Sequence, residues 1–404
     1  MTAHEAVAVL GSTVVALILL LATARRVRSR WYAGAGTIAL LGHVAFGTLI
    51  LPLLPYSWDI AKFHRRAELL LGGGSPPPNL TVNSFAALQS LLYATFVVDP
   101  AVVSVFNGLC AVLVVLPASD VARRLYPTLT STRGLVATIL FLPLPFVFLT
   151  IPMRDTLAVL LFVTLLAAVA RAYDGDRWPV VLALPLWGAL SLLRPELGAV
   201  LLAALFAGSV VRVLDEVATG PLSLSSLVAL AALPTAIGLV LAAPRIPVAP
   251  FAERLQNRAV GGGAYLESMT YETGVDVLLA APVRALYFQY TPFPLHVTSA
   301  FDLVAVTMLP LLVGLTVAAY RSTRDYERDI AVLVTLLTAY LLGVVGYGLV
   351  DSNFGTTVRH RIPFTFLLCV FAAPTLERWT NLLLGSVGIT STADGPSATE
   401  RVGD

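Results

Sequence analysis

Charged residues are scarce in this sequence. Only 12% of its 404 residues are acidic or basic, whereas a soluble domain is typically about a quarter charged. Hydrophobic residues reach 57%, and the mean hydropathy is +0.83. Acidic and basic residues nearly cancel, 24 against 26, so the charge gives no sign of a nucleic-acid partner. These proportions argue against a soluble domain and favour an integral membrane protein.

Cysteine and the usual catalytic motifs are lacking as well. The two cysteines, Cys110 and Cys369, lie inside apolar runs, which argues against a disulfide framework. The chain has no Gly-rich phosphate loop, no His-Glu-x-x-His motif and no cysteine pair at metal-ligand spacing. We therefore expect no nucleotide-binding domain and no cofactor, and we assign no metal ligands, although the sequence leaves metal dependence open.

Long apolar runs, in contrast, are abundant. A helix needs roughly twenty apolar residues to cross the hydrocarbon of a bilayer, and it satisfies its own backbone groups there. The sequence predicts an all-α integral membrane protein. Residues 1–378 would form its membrane domain, and residues 379–404 a short polar cytoplasmic tail that is disordered past Ile389. About eleven transmembrane helices are expected, at 6–24, 33–55, 102–117, 134–152, 156–171, 178–193, 197–212, 222–243, 303–320, 330–350 and 362–376.

Arginines at alternate ends of these runs indicate the cytoplasmic side. The ends concerned carry Arg25, Arg26, Arg28, Arg30, Arg123, Arg124, Arg133, Arg171, Arg177, Arg212, Arg321, Arg324 and Arg328. This alternation predicts a multi-pass protein of the cell membrane with its N-terminus outside and its C-terminus in the cytoplasm. The remaining polar clusters then share the outer face, in segments 56–101, 153–155, 194–196, 244–302 and 351–361. That convergence predicts an outward-facing active site.

Two carboxylates are candidate catalytic residues. Asp59 opens a dense polar cluster immediately after an apolar run, where it could accept the proton of an acceptor hydroxyl. The alternative is a simple ion pair with Lys62, three residues later. Asp155 lies in a tight turn between two runs and is the second candidate, with a local pair to Arg154 as the alternative.

Basic residues provide candidates for binding a lipid phosphate. Arg359, His360 and Arg361 stand at the start of an apolar run, and arginine binds phosphate oxygens through a two-pronged fork. A topogenic cluster or a contact with lipid headgroups is the alternative. Arg194 joins this set, although an arginine before Pro195 at the end of a span can also simply reach the interface.

Four further residues are assigned to substrate binding. His64 and Arg65 belong to the polar cluster that Asp59 opens. Tyr265 and Glu267 lie in a Gly- and Tyr-rich loop, where aromatic rings could stack on a sugar. Tyrosines of such loops are also enriched at the membrane interface without any ligand.

The order of these features resembles the GT-C superfamily of polytopic glycosyltransferases, which use polyprenyl- or dolichyl-phosphate sugars and include the protein O-mannosyltransferases. The similarity runs from Trp58 to Gly198. It consists of Asp59 outside an early span, the amphipathic segment 83–98, Asn107 near the outer end of a span, and the Ala-Arg-Arg-Leu sequence of residues 122–125. One difference is that the mannosyltransferases carry paired acids here, whereas Ile60 follows Asp59.

The resemblance implies transfer of a sugar, such as mannose, from a polyprenyl or dolichyl phosphate to a lipid-linked glycan or a glycoprotein. The sugar would be inverted at its anomeric carbon on the outer face of the membrane. The partners would be the lipid-linked donor, a glycan or protein acceptor and membrane lipids. Two alternatives stay open, a polysaccharide polymerase or ligase acting on lipid-linked glycans, and a lipid-linked oligosaccharide flippase or other transporter. A transporter should show internal repeats and ionisable residues at mid-membrane.

Overall fold

The chain folds into helices throughout the part that the structure describes. A computed structural model describes residues 2–54, 59–176, 178–217, 223–258, 263–297 and 300–386. The tail for which disorder was predicted lies outside these residues. The α-helices are α1 (Ala3–Arg26), α2 (Arg30–Ala45), α3 (Ile60–Leu71), α4 (Leu80–Thr95), α5 (Pro100–Leu113), α6 (Val115–Leu125), α7 (Arg133–Phe141), α8 (Pro143–Thr150), α9 (Asp155–Tyr173), α10 (Trp178–Leu193), α11 (Pro195–Val217), α12 (Leu224–Ala242), α13 (Val248–Arg258), α14 (Gly274–Tyr290), α15 (Ala300–Val306), α16 (Met308–Asp325), α17 (Ile330–Val350), α18 (Phe354–His360), α19 (Ile362–Phe371) and α20 (Ala373–Ser386).

Eight helical stretches within the described residues are long and apolar enough to cross a membrane. The pair α7 and α8, bent by 60°, makes a ninth if it counts as one span, and α10 and α19 are apolar but shorter. Each of the predicted apolar runs falls on one of these elements. The all-α membrane architecture is therefore confirmed, while the number of eleven spans stays a prediction.

Prolines explain why several spans are built from two helices. Leu142 precedes Pro143 and has an extended backbone, with ψ of 122°, because the proline ring disfavours the helical conformation of the residue before it. This separates α7 from α8. Pro117 lacks the N–H that would bond the carbonyl of Leu113, and α5 gives way to α6 at Val114. The prolines thus divide single apolar runs of the sequence into two consecutive helices.

The segment expected as a long outer loop, 244–302, contains a substantial helix. Thr273 and Asp276 form a capping box that starts α14, and α14 packs along α17. A β-carbon at Gly348 of α17 would lie 2.9 Å from the carbonyl oxygen of Arg284 and 3.0 Å from the backbone nitrogen of Ala285. Glycine is thus what allows the two backbones to approach so closely, as at other membrane helix contacts.

The two ends of the bundle carry different ionic groups. Helix α9 begins with Asp155 at one end and ends near Arg171 at the other. At the second end Asp120 lies 3.3 Å from Nε of Arg124 and 2.7 Å from Nε of Arg171. Two arginines that were expected at the cytoplasmic ends of separate spans therefore meet on one carboxylate.

We expect Gly348→Ala to destabilise the protein, because the added methyl group meets backbone atoms that cannot rotate away. Overpacking of this kind costs about 1–3 kcal/mol. The matched control is Gly346→Ala in the same helix, where no atom lies within 4 Å of the position that the β-carbon would take. Thermal unfolding in detergent should show a lower midpoint for Gly348→Ala alone. Equal midpoints would contradict the close approach of α14 and α17.

Candidate functional site

Arg194 lies at the joint between α10 and α11, with its guanidinium turned into the protein. Its side chain is only 7% exposed. It pairs with the Asp155 carboxylate, donates from Nη1 to Nε2 of His360 at 2.9 Å, and lies 3.3 Å from the Glu196 carboxylate. Pro195 begins α11, where the absence of an N–H costs nothing. The turn therefore fixes Arg194 so that it links three segments of the chain.

Asp155 is the first residue of α9, a position at which the helix dipole favours a negative charge. One carboxylate oxygen pairs with Arg194, and the other lies 3.5 Å from Nε of Arg359. The carboxylate is therefore occupied on both sides and nearly enclosed, at 9% exposure. The ion-pair partners of Asp155 are therefore Arg194 and Arg359, and not Arg154, which the sequence had offered as the alternative.

Arg359, in α18, lies between the two predicted catalytic carboxylates. Its Nη1 atom is 3.8 Å from Oδ2 of Asp59 and 3.4 Å from the sulfur of Met153. The Asp59 side chain is 51% exposed, so this contact is loose and open to water. The predicted alternative for Asp59 was Lys62, but the ion-pair partner that the structure places beside it is Arg359.

The protonation state of His360 follows from its neighbours. Arginine can only donate, so Nε2 of His360 accepts the hydrogen bond from Arg194 and carries no proton. The proton is then on Nδ1, which donates to the Asp351 carboxylate at 2.7 Å. Burial is the largest influence and lowers the pKa of His360, and Arg194 lowers it further, against the opposing effect of Asp351. We therefore assign a neutral imidazole that orients Arg194.

Three buried guanidinium nitrogens of the predicted outer arginines have no hydrogen-bond partner among the described residues. They are Nη1 of Arg154, Nε of Arg359 and Nη2 of Arg361. Burial first, and then the neighbouring Arg194, lower the pKa of Arg154. Buried donors in folded proteins are nearly always satisfied, and each exception calls for an explanation. An anionic ligand would supply the missing acceptors.

The structure therefore brings together five of the predicted site residues, Asp59, Asp155, Arg194, Arg359 and His360, which we call the arginine–carboxylate cluster. It also adds two residues that were not among the predicted site residues. Asn107 donates to the carbonyls of Ile151 and Met153 at 2.6 and 3.1 Å, which ties α5 to the turn before Asp155. Tyr347 donates to Glu196 at 3.1 Å. The family pattern pointed to Asn107, whereas nothing in the sequence distinguished Tyr347 from other tyrosines.

Arg361 lies apart from the cluster, although it follows His360 directly. It is 2% exposed, and its Nη1 atom donates to the carbonyl oxygens of Gln289 and Thr291 at 3.2 and 2.5 Å. These carbonyls end α14, where a cation is favoured by the helix dipole. The geometry gives Arg361 the role of holding the end of that helix.

Tyr265 also serves the framework. Its ring is 3% exposed and stacks between Tyr287 and Phe354. Its hydroxyl donates to the Asp351 carbonyl at 2.9 Å and lies 2.8 Å from the hydroxyl of Thr357. With both faces and the hydroxyl occupied, this ring cannot stack on a sugar in the structure described.

Helix α14 provides a second support for the same segment. Arg284 is 1% exposed and donates to the carbonyl oxygens of Gly348 and Asp351 at 2.9 and 2.7 Å. It also donates to the Ser352 hydroxyl at 3.0 Å. The end of α17 is held in this way where Asp351 turns its carboxylate to His360.

The remaining predicted substrate residues are further out. His64 lies 2.7 Å from the Tyr93 hydroxyl and 3.5 Å from Glu68. Arg65 and Glu267 are exposed. Within the described residues, these three have no contact with the cluster, and their assignment to substrate binding stays a prediction.

A small cavity lies within the cluster, and a larger one is lined by chain neighbours of its two carboxylates. A cavity of about 10 Å³ lies among Asp155, Arg194, Arg359 and His360, which is room for about one water molecule. A cavity of about 400 Å³ is lined by Ile60 and Pro152, residues close in the chain to Asp59 and Asp155. Across the described ranges, no group of three or more histidine, cysteine or carboxylate side chains is placed to hold a metal ion.

Comparisons with protein-family models, with curated proteins and with solved structures find no match to this chain.

We expect Asp155→Asn to destabilise the protein, because it leaves the buried Arg194 without its buried counter-charge and with only the more exposed Glu196. Removing one partner of a buried pair costs about 3–5 kcal/mol. Asp155→Asn with Arg194→Gln should cost less than the sum of the single changes, as a double-mutant cycle of unfolding would show. The control is the exposed pair of Arg324 and Asp325, 3.7 Å apart, where neutralising either residue should cost less than about 1 kcal/mol. Additive effects at Asp155 and Arg194 would contradict the buried pair.

Proposed function

We propose that the chain is a glycosyltransferase that uses a polyprenyl or dolichyl phosphate sugar as donor. The observation that supports this most is that guanidinium nitrogens without a hydrogen-bond partner lie close to an exposed carboxylate. Nη1 of Arg154 has no acceptor within the described chain, and Nε of Arg359 has only the 3.5 Å ion-pair contact with Asp155. Asp59 is half exposed beside Arg359. Such a site offers donors for a phosphate and a base for a hydroxyl at the same place.

The phosphate would bind to Arg359, with Arg154 beside it. Arg359 is held only loosely, at 3.5 Å from Asp155 and 3.8 Å from Asp59, so a phosphate can replace these contacts. Guanidinium forks match phosphate oxygens and strengthen as negative charge develops on the leaving group. Arg194 would act through its charge, because its own nitrogens are already bound to Asp155 and His360.

The two carboxylates would have separate roles. Asp155 is enclosed by Arg194 and Arg359, so it orients these arginines and is poorly placed to take a proton. Asp59 is accessible and would act as the base. The acceptor oxygen forms a bond to the anomeric carbon while the bond from that carbon to the phosphate oxygen breaks. The electron pair leaves on the phosphate, Asp59 takes the acceptor proton, and the anomeric configuration is inverted.

The acceptor would be a lipid-linked glycan or a protein, approaching at the outer face of the cell membrane. The cavity next to Ile60 and Pro152 has the volume to admit a sugar near Asp59. Mannose is the sugar that the family resemblance suggests. The positions of the charged groups favour a transferase over a transporter, because they lie at helix ends rather than at mid-membrane, where a transporter places them.

The proposed orientation places the cluster outside and the C-terminus in the cytoplasm. Cysteine replacing the exposed Ser75 should react with an impermeant thiol reagent in intact cells. Cysteine replacing Arg324, whose side chain is 68% exposed at the opposite end, should react only after lysis. The native Cys110 and Cys369 are buried and provide a low background. The reverse pattern would place the cluster in the cytoplasm and remove the proposed site from the outer face.

Asp59→Asn should abolish most transfer, because the amide keeps the shape of the carboxylate but cannot accept a proton. The loss expected for a general base is about 10²–10⁴ in rate. Transfer from dolichyl phosphate mannose by purified protein measures it, with Lys62→Gln as the control for loss of a nearby charge. The Asp59→Asn protein should unfold at the wild-type temperature. Wild-type turnover in Asp59→Asn would exclude this residue from the mechanism.

Arg359→Ala should weaken the use of the lipid-phosphate donor, whereas Arg361→Ala should mainly lower stability. The loss of a charge-assisted hydrogen bond corresponds to about tenfold or more in kcat/KM for the donor. Arg359→Lys should rescue only in part, because lysine has no fork. Donor-dependent rates and unfolding temperatures, measured for all three variants, separate the two roles. If Arg359→Ala keeps the donor dependence of the wild type, the phosphate binds elsewhere.

A further inference from the structure

A large cavity is at the end of the bundle opposite the arginine–carboxylate cluster. It has a volume of about 620 Å³ and lies between the ends of α1, α6, α7, α9 and α10. Its interior is apolar, with Leu116, Val136, Ala167, Ala168 and Leu186 among the lining residues. No step of the proposed transfer reaction involves this cavity.

Guanidinium groups stand at the mouth of the cavity. Arg123 and Arg171 both line it. Arg123 is exposed and makes no hydrogen bond or ion pair within the described chain. Arg171 uses Nε to bind Asp120 at 2.7 Å, which leaves its two terminal nitrogens for another partner. These groups can bind an anion without losing existing contacts.

The acidic residues at the mouth are already engaged. Both oxygens of Asp120 are occupied, one by Arg124 at 3.3 Å and one by Arg171. Asp176 accepts a hydrogen bond from the backbone of Trp178 at 3.2 Å. These carboxylates therefore position Arg124, Arg171 and the start of α10, and neither of them pairs with Arg123.

The turn between α1 and α2 adds more positive charge to the same rim. Val27 and Ser29 from this turn line the cavity. The neighbouring Arg25, Arg26, Arg28 and Arg30 are all exposed, and the sequence has no acidic residue between Glu5 and Asp59. Basic pockets between membrane helices are typical sites for anionic lipid headgroups. An apolar interior behind such a rim matches a lipid better than a free anion.

We propose that this cavity binds the phosphate group of a net-anionic membrane lipid. Arg123 and the terminal nitrogens of Arg171 hold the phosphate oxygens, and the hydrocarbon chain enters the apolar interior beside Leu182. The proposal is independent of the transferase reaction, because the two sites are at opposite ends of α9. The proposed lipid would belong to the leaflet at the end of the bundle opposite the arginine–carboxylate cluster.

Native mass spectrometry of the delipidated full chain tests this proposal. The protein is offered phosphatidylglycerol, phosphatidylcholine with the same acyl chains, and dolichyl phosphate in separate incubations. We expect the protein to retain phosphatidylglycerol or dolichyl phosphate more strongly than phosphatidylcholine. Whichever of these two anionic lipids is retained more strongly identifies the source of the lipid phosphate. Arg123→Ala should reduce this retention roughly fivefold, as expected for one basic residue at a membrane surface.

Two variants make the test specific. Arg321→Ala removes an equally exposed arginine from α16 at the same end of the bundle and should leave retention unchanged. Leu182→Trp narrows the apolar part without changing any charge and should also reduce retention. Equal retention of phosphatidylcholine and phosphatidylglycerol by the wild type overturns the proposal. A loss in Arg123→Ala no greater than that in Arg321→Ala overturns it as well.

Discussion

The buried charge of Arg194 is the constraint on which the rest of this structure depends. A guanidinium at the end of a membrane helix is costly unless its nitrogens find partners. Here the partners come from three separate segments, with Asp155 at the start of α9, His360 at the end of α18, and Glu196 in α11. Satisfying one cation therefore fixes the relative positions of four helices. Any ligand at the cluster binds to a framework that is already charged and oriented.

A second set of contacts holds this framework from outside. Arg284 and Tyr265 are both buried and both bind the carbonyl of Asp351, so the carboxylate of Asp351 has little freedom to leave His360. Arg361 fixes the end of α14 from the other side. Arg284, Tyr265 and Arg361 thus use their polar groups to hold backbone carbonyls in place. Within the described part of the cluster, the long contacts are those of Arg359 with Asp59 and Asp155, at 3.8 and 3.5 Å, which is where a reaction would need movement.

Hydropathy and charge placement predicted much of the fold and part of the site. Runs of apolar residues predicted the positions of the spans, because the bilayer requires both length and hydrophobicity. The alternation of span ends predicted that Asp59, Asp155, Arg194 and Arg359 lie at the same end of the helix bundle. Helix α14 was missed because Asp276, Arg284 and Gln289 interrupt its apolar character. The charge of Arg284 is satisfied by carbonyl oxygens at the end of α17, a contact that only the tertiary structure supplies. The separation of Arg359 from Arg361 also could not be predicted, since it depends on the direction of the seven-residue α18.

Helix α10 has a consequence for the lipid around the protein. It has 16 residues, which corresponds to a length of about 24 Å against a hydrocarbon thickness of about 30 Å. Its outward side chains, such as Trp178 and Leu184, are 81% and 72% exposed. A bilayer meets such a short apolar surface by becoming locally thinner. Because Arg194 directly follows α10, a bilayer that is thinned where α10 crosses it would bring the headgroup layer toward the cluster. A phosphate carried by a lipid would then reach the cluster with less displacement from its own leaflet.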